Sequence, residues 1–184
     1  MASRSHVRFR ATDIWDAPDD QYRYEVIDGE LFLTPAPAWK DQQALMKLSL
    51  RVGTHVYGHD LGWVVQAPVG VVLDEENGVQ PDLLYVSKGR ASIISERGVE
   101  GAPDLVVEVL SPSTAARDRG IKMRRYAAAG VPHLWLLDAD APALEMYRLG
   151  AEGYELIATY SSGSIARPDL FPGLDIPVDE LLSP

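Results

Sequence analysis

The feature that most constrains the fold is the run Leu105–Leu110, in which five of six residues are apolar. Its three valines favour a β-strand, and apolar residues at both alternating sets of positions indicate a strand covered on both faces. We therefore expect it in the middle of a sheet with helices on either side. The exception is Glu108, whose carboxylate is costly to bury unless it is paired or binds a cation.

The segment after this strand is predicted to be a helix. Ser113 or Thr114 is placed to cap its first turn, and Gly130, with a proline two residues later, marks its end. Within the helix Lys122 stands four residues after Asp118 and four before Tyr126, so the three side chains share one face. If that face packs on the sheet, the lysine ammonium can reach Glu108.

The remaining pattern predicts an α/β (α+β) fold with a central mixed sheet flanked by helices and an N-terminal β-hairpin. Asp28-Gly29 is a hairpin turn sequence between apolar strands. Apolar residues at three- and four-residue steps predict a helix from Ala38 to about Tyr57. The other predicted strands are 63–67 and 69–73 (two strands, or one bent at Pro68), 79–86, 133–138, 143–148 and 154–159.

Length and composition narrow the class of protein. We expect one domain over residues 1–184, with a polar N-terminal extension at 1–20 and a C-terminal tail at 161–184, mostly ordered loop, packed on it. The chain has no cysteine, which excludes disulfides, zinc-thiolate sites and cysteine nucleophiles. This composition, with no membrane-spanning run and no signal-peptide pattern, favours a cytoplasmic protein that does not bind membranes.

The net charge of −10 argues against broad, nonspecific coating of DNA. Nucleic-acid contact should therefore be local. The segment 117–125 is locally basic, with five Lys and Arg residues and a single acid.

Asp82 is a second carboxylate that is costly to bury unless it is paired or binds a cation, because it also adjoins an apolar strand. If the two strands are neighbours, the carboxylates converge and repel, and a divalent cation removes that repulsion. Oxygen ligands suit Mg²⁺ or Mn²⁺. A metal, paired acids and a lysine together suit phosphodiester hydrolysis: the metal polarises the phosphate and activates water, while Lys122 stabilises charge or assists the attacking water.

Each of these residues also has an ordinary structural interpretation. Asp82 can cap the entry to its strand, Glu108 can pair with an arginine, and Lys122 can form a surface pair with Asp118. His55 and His59, four residues apart, can bind a metal, but histidines at a helix C-terminus more simply complement the helix dipole. The combination of the first three on two strands and one helix is what favours a functional site.

These motifs resemble a known family. The matching pieces are Tyr24–Leu31 (YEVIDGEL), Gln80–Asp82 (QPD), Ala102–Thr114 (APDLVVEVLSPST), Arg117-Asp118, Lys122, Tyr126, Gly130-Val131 and Trp135. They are similar to those of the Uma-two-type putative restriction endonucleases within the PD-(D/E)xK nuclease superfamily. The similarity covers roughly residues 20 to 182.

The resemblance implies a restriction-endonuclease-like fold and a role for each matching residue. Asp82 and Glu108 would bind Mg²⁺ (or Mn²⁺), with the Val109 carbonyl as a further ligand, and Glu25 would be an auxiliary catalytic acid. The superfamily lysine stands two residues after the second acid, where this chain has Leu110. In this branch it is relocated to the next helix, as Lys122. Asp41 or a neighbour stands where relatives often carry a histidine.

The sequence thus leads to a Mg²⁺-dependent endonuclease that hydrolyses phosphodiester bonds of nucleic acid, DNA in the first instance, and that can act as a homodimer. The alternative is an inactive nuclease-like domain that binds nucleic acid or protein, which the acidic composition favours. A serine hydrolase at Ser111 or Ser113 is rejected, because no nucleophile-elbow motif is present. ATP or NAD is not expected, since the Gly-rich phosphate loops are missing.

Overall fold

The structure is a computed structural model that describes residues 7–141 and 143–182. The strands are β1 (Tyr22–Ile27), β2 (Glu30–Pro35), β3 (Gly62–Gln66), β4 (Gly70–Val72), β5 (Gly78–Val79), β6 (Leu83–Ser87), β7 (Gly98–Glu100), β8 (Leu105–Leu110), β9 (His133–Asp138), β10 (Ala143–Gly150), β11 (Gly153–Ser161), β12 (Ile165–Ala166) and β13 (Ile176–Pro177). The α-helices are α1 (Trp39–Gly58), α2 (Ala115–Arg117), α3 (Met123–Ala129) and α4 (Val178–Leu182). Short 3₁₀ helices cover Ala11–Asp16 and Lys88–Ile93, and a π-helical turn covers Asp118–Lys122.

The larger sheet has six strands in the order β11-β10-β9-β8-β6-β3. Its only parallel pair among the described residues is β8 with β9, and the other pairs are antiparallel. Every residue of β8 is buried, as its apolar run predicts. The prediction of a central, doubly covered strand is therefore confirmed.

The smaller sheet has the order β2-β1-β5-β4-β7. The predicted hairpin is present as β1 and β2, and both turn residues, Asp28 and Gly29, adopt positive φ. Two predicted strands divide between the sheets. Residues 62–72 become β3 in the larger sheet and β4 in the smaller one, and the predicted strand 79–86 splits around Gln80–Asp82 into β5 and β6. This split leaves Asp82 at the junction of the two sheets.

Helices cover both faces of the larger sheet. On one face, α1 packs its buried side against β8 and the C-terminal tail, through residues that include Leu48, Val52, Val107 and Phe171. On the other face lie Tyr126 of α3, Val106 and Leu136. No helix in residues 7–141 or 143–182 is long and apolar enough to cross a membrane.

The predicted second helix is interrupted. The chain turns through α2, the π-helical turn and α3, and ends at Gly130, which takes the left-handed conformation expected of a helix stop. Thr114 occupies the cap position, but its side chain makes no cap hydrogen bond, and its hydroxyl lies 3.0 Å from that of Ser111. The prediction that Ser113 or Thr114 caps this helix through a side-chain hydrogen bond is therefore wrong.

The C-terminal tail is more regular than the sequence suggests. It forms the two-stranded β12–β13 sheet and α4, where loop was expected. Phe171, Leu174 and Ile176 are buried in the same core as α1. The prolines and glycine that predicted loop stand between or at the ends of these short elements.

Candidate active site

The pairing of β6 with β8 sets the position of the two predicted metal-binding acids. Leu83 pairs with Val107 in an antiparallel register, so the next positions outward are Asp82 and Glu108. Asp82 Oδ2 accepts the Val109 N–H at 2.6 Å and so continues the strand pairing through its side chain. Both carboxylates are buried and line the same cavity. From the sequence, the two carboxylates were predicted to converge only if their strands were neighbours. The pairing of β6 with β8 meets that condition.

Lys122 lies at the centre of a buried charge cluster. Its Nζ is 2.7 Å from Glu108 Oε1, 2.9 Å from Glu25 Oε1 and 3.7 Å from Asp118 Oδ1. The side chain is only 2% exposed, so the interpretation of Lys122 as a surface pair with Asp118 is wrong. The lysine ammonium therefore joins the hairpin, the central strand and the π-helical turn.

Glu25 reaches the cluster from β1 in the smaller sheet. Its Oε1 also accepts the backbone N–H of Gln80 at 3.0 Å, and its Oε2 lies 3.8 Å from the Arg117 guanidinium. The hairpin is held against the larger sheet at this point. Glu25 contacts Lys122 directly, so it is placed to fix the ammonium as well as to line the cavity.

Two further residues belong to the cluster, although sequence reasoning gave them no role in the site. The Tyr126 hydroxyl donates to Glu108 Oε1 at 2.5 Å, and Arg23 pairs with Asp82 Oδ1 at 2.7 Å. The four-residue spacing between Lys122 and Tyr126 indicated that Tyr126 lies on the same helix face as the lysine. Arg23 carried no such signal, because its contact joins residues 59 positions apart.

The electrostatics of the cluster keep Lys122 charged. Burial alone would lower the pKa of Lys122, but attraction to Glu108 and Glu25 outweighs it and the pKa lies above its usual range. Burial raises the pKa of Glu108 to about 8, and the Lys122 ammonium offsets that effect only in part. For Glu25, burial is outweighed by Lys122 and by the Gln80 N–H, so the pKa of this carboxyl is lowered.

A cavity of about 430 Å³ opens onto the cluster. Its lining includes Asp82, Glu108, Val109 and Lys122, together with Arg23 and Arg117. Asp41, at the start of α1, is buried against it, and in the described part of the chain its Oδ1 has no hydrogen-bond partner. An unpaired buried carboxylate oxygen is costly unless a cation or water satisfies it.

The donor set fits a hard divalent cation by its chemistry. In a strand the N–H and C=O of one residue point the same way, so the Val109 carbonyl faces the Asp82 side rather than β9. With Asp82 and Glu108 it offers the oxygen ligands that Mg²⁺ and Mn²⁺ prefer. Across residues 7–141 and 143–182, however, no three His, Asp or Glu side chains are arranged to hold a metal ion.

Asp104, at the entry to β8, and the two histidines of α1 have structural roles. Asp104 Oδ2 accepts the Ser87 N–H at 2.7 Å and lies near Arg90, so it ties β8 to the end of β6. His55 and His59 stack with ring centroids 4.3 Å apart, and His59 Nδ1 lies 2.9 Å from the His55 carbonyl. This contact at the end of α1 agrees with the helix-terminus interpretation.

The fold matches a solved structure, that of a putative nuclease belonging to DUF820 from Anabaena variabilis ATCC 29413. The TM-score is 0.78 with 16% sequence identity, over 95% of this chain and 98% of that chain. At this level of identity the match defines the fold, and the predicted restriction-endonuclease-like class is confirmed.

The sequence also matches the Uma2 family, described as putative restriction endonuclease, over residues 11–179. The chain therefore belongs to the Uma2 family. No curated protein matches it.

Proposed function

We propose that this protein is a metal-dependent endonuclease that hydrolyses phosphodiester bonds of DNA at the cavity above Asp82, Glu108 and Lys122. The observation that carries the proposal is a lysine ammonium buried among three carboxylates at the floor of an open cavity. A purely structural ion pair does not need access to solvent or a cavity. Membership of a nuclease family and the general use of divalent metals by such families support the assignment.

Asp82, Glu108 and the Val109 carbonyl would hold Mg²⁺ or Mn²⁺. The cation, when bound, polarises the phosphate and lowers the pKa of water. Asp82 and Glu108 each already contact a cationic group, Arg23 and Lys122. These contacts fix the positions of the two carboxylates in the folded protein. Binding of a cation would then compete with the Arg23 pair, and its charge would lower the raised pKa of Glu108.

Lys122 is best suited to stabilise charge. Because its pKa is raised, it remains an ammonium and is a poor acceptor of a proton from water. In hydrolysis the water oxygen bonds to phosphorus, the bond to the leaving oxygen breaks, and negative charge accumulates on the phosphate oxygens. A fixed ammonium in a site of low dielectric stabilises that charge without reorganisation. Glu25 acts as a positioning residue by holding the ammonium in place.

The substrate would enter a cavity whose lining includes basic as well as acidic side chains. Arg23 and Arg117 are largely buried side chains with guanidinium groups beside the acids, and Lys40 stands at the outer edge. Cations at these positions suit the phosphates that flank the scissile bond. This local charge is what an acidic protein needs if it is to bind nucleic acid.

A binding module without catalysis is the second candidate, and one observation favours it. Both oxygens of Asp82 already have protein partners, Arg23 and the Val109 N–H, so this part of the site is complete without a metal. In that case the cavity would recognise nucleic acid or protein and cleave nothing.

Cleavage of plasmid DNA in Mg²⁺, Mn²⁺ or EDTA separates the two candidates. We expect wild type to cut in either metal and to stop in EDTA, and Asp82→Ala and Lys122→Ala to lose at least about a hundredfold in rate. Asp104→Asn is the matched control. Asp104 adjoins β8, the strand of Glu108, but its carboxylate accepts the Ser87 N–H and does not line the cavity. Equal activity in all four proteins, or none in wild type, would refute the catalytic assignment.

A further inference from the structure

Helix α1 has a second apolar face that the fold leaves in water. Its core side carries Leu48 and Val52. On the opposite side the large apolar residues Trp39, Met46, Leu50 and Tyr57 are 79%, 47%, 61% and 58% exposed. We call these four, together with the half-buried Gln43 and the buried Gly53 between them, the outer stripe.

The spacing of the outer stripe is that of a helix–helix seam. Its positions 39, 43, 46, 50, 53 and 57 advance by alternating steps of four and three residues, as a and d positions do in a coiled coil. Helices exposed to water normally carry polar residues on that side. The stripe runs the length of the 20-residue helix, about 27 Å from its first position to its last.

The order of residues in the stripe is symmetric about Leu48. If two copies of α1 pack antiparallel across a two-fold axis at that level, Trp39 faces Tyr57 of the second copy, and Met46 faces Leu50. The third pair is Gln43 with Gly53. In this pair the one long polar side chain of the stripe, Gln43, faces a residue that has no side chain. Each contact is made twice, which is the self-complementarity that a two-fold interface requires.

Gly53 is the one residue of the stripe that is already buried within a single chain, beside the Tyr57 ring. A glycine inside a helix is unfavourable relative to alanine. An added Cβ at Gly53 would meet only the Tyr57 ring, at 3.8 Å, which is an ordinary contact. The fold of one chain therefore gives no steric reason for a glycine here. Tyr57 is itself held in place, because its hydroxyl donates to the Val64 carbonyl at 3.0 Å.

The area of the stripe is adequate for a dimer. If a large side chain exposes about 200 Å² when free, the four exposed residues leave on the order of 500 Å² of mostly apolar surface in water. Two copies would bury about 1,000 Å², near the lower bound for a specific interface. The seam contains no charged residue, so pairing would bury no unpaired charge.

We infer that the outer stripe of α1 is the interface of a homodimer in which two α1 helices pack antiparallel. Lys40 and Asp41 at the start of α1 line the catalytic cavity, so the two cavities would lie at opposite ends of the paired helices, each open to solvent. The inference rests on the exposed surface of α1 and not on catalysis, and it holds whether or not the cavity is active.

Sedimentation equilibrium of the full chain measures the dimer directly. We expect wild type to dimerise, and Leu50→Glu and Met46→Glu each to weaken the dimer at least about tenfold. Leu156→Glu is the matched control, since Leu156 is an exposed leucine (54%) on the distant edge strand β11 and should leave the dimer unchanged. Circular dichroism checks that each variant is folded.

A cross-linking experiment tests the direction of packing. The natural chain has no cysteine, so single cysteines can be introduced without removing others. In the antiparallel dimer a mixture of Trp39→Cys and Tyr57→Cys proteins forms a disulfide between unlike chains, whereas Trp39→Cys alone does not. A monomeric wild type, a dimer unaffected by both Leu50→Glu and Met46→Glu, or a disulfide formed by Trp39→Cys alone would each overturn the inference. None of these measurements depends on nuclease activity.

Discussion

Replacement of Lys122 by methionine tests how much the buried cluster depends on its central cation. The variant keeps most of the side-chain volume but leaves Glu25, Glu108 and Asp118 without the ammonium that they share. Removing one partner of a buried ion pair typically costs about 3–5 kcal/mol. For a protein of this size that corresponds to a fall in melting temperature of roughly 6–20 °C.

The loss should depend on pH with a definite sign. In wild type the pKa of Glu25 is lowered, so this residue contributes stability above its unfolded pKa that is lost as the pH falls, whereas Glu108, with its raised pKa, has the opposite dependence. In the variant the buried carboxyls lose the cation and their pKa values rise. The folded state then binds more protons than the unfolded state, and stability falls as the pH rises. The difference between the two proteins should therefore be large at pH 8 and small at pH 5.

Urea unfolding followed by Trp fluorescence at pH 5 and pH 8 measures this difference. Adding Glu108→Gln to Lys122→Met should recover part of the loss at pH 8, because glutamine is neutral without having to take up a proton when it is buried. Lys40→Met is the control, since its ion pair with Asp140 is exposed and should contribute no measurable stability. If Lys122→Met were as stable as wild type at both pH values, the ammonium would not hold the cluster together and the reasoning would be refuted.

Three further predictions concern the neighbours of Lys122. Tyr126→Phe removes the hydroxyl that donates to Glu108 and should lower the free energy of unfolding by about 1–3 kcal/mol in urea, and no loss would show that the bond is unimportant. Mg²⁺ affinity measured by calorimetry should rise between pH 6 and pH 9, because Glu108, with a pKa of about 8, must lose its proton to bind the cation; an affinity independent of pH would contradict this role. Arg23→Gln frees Asp82 from its ion pair and should strengthen Mg²⁺ binding while weakening DNA binding, and a weaker Mg²⁺ site would show that Arg23 positions Asp82 and does not compete for it.

Local pattern predicted much of the fold. The hairpin at Asp28-Gly29, the helix α1 and the buried strand β8 each have a period or turn sequence that few other structures satisfy. The division of residues 62–87 between two sheets could not be predicted, because it depends on which distant strand each segment pairs with. A strand pattern alone does not specify its partner.

The candidate site was predictable only where spacing or a motif connected its members. Lys122 could be related to Asp118 and Tyr126 by four-residue steps, but the contact of Tyr126 with Glu108 depends on tertiary packing. An aromatic residue on an apolar helix face normally predicts core, and Tyr126 is core as well as a hydrogen-bond donor. The unpaired oxygen of Asp41 is likewise visible only in three dimensions, because it results from burial beside the cavity.

Anomalous scattering from a crystal soaked in Mn²⁺ would show directly whether Asp82 and Glu108 form a metal site. We expect one Mn²⁺ bound by the carboxylates of Asp82 and Glu108 and the carbonyl of Val109, with the Lys122 ammonium beside it. The peak should disappear in Asp82→Asn and persist in Asp104→Asn. Soaked wild-type crystals with no ion at Asp82 and Glu108, or with the ion elsewhere in the molecule, would contradict a metal-dependent active site in this cavity.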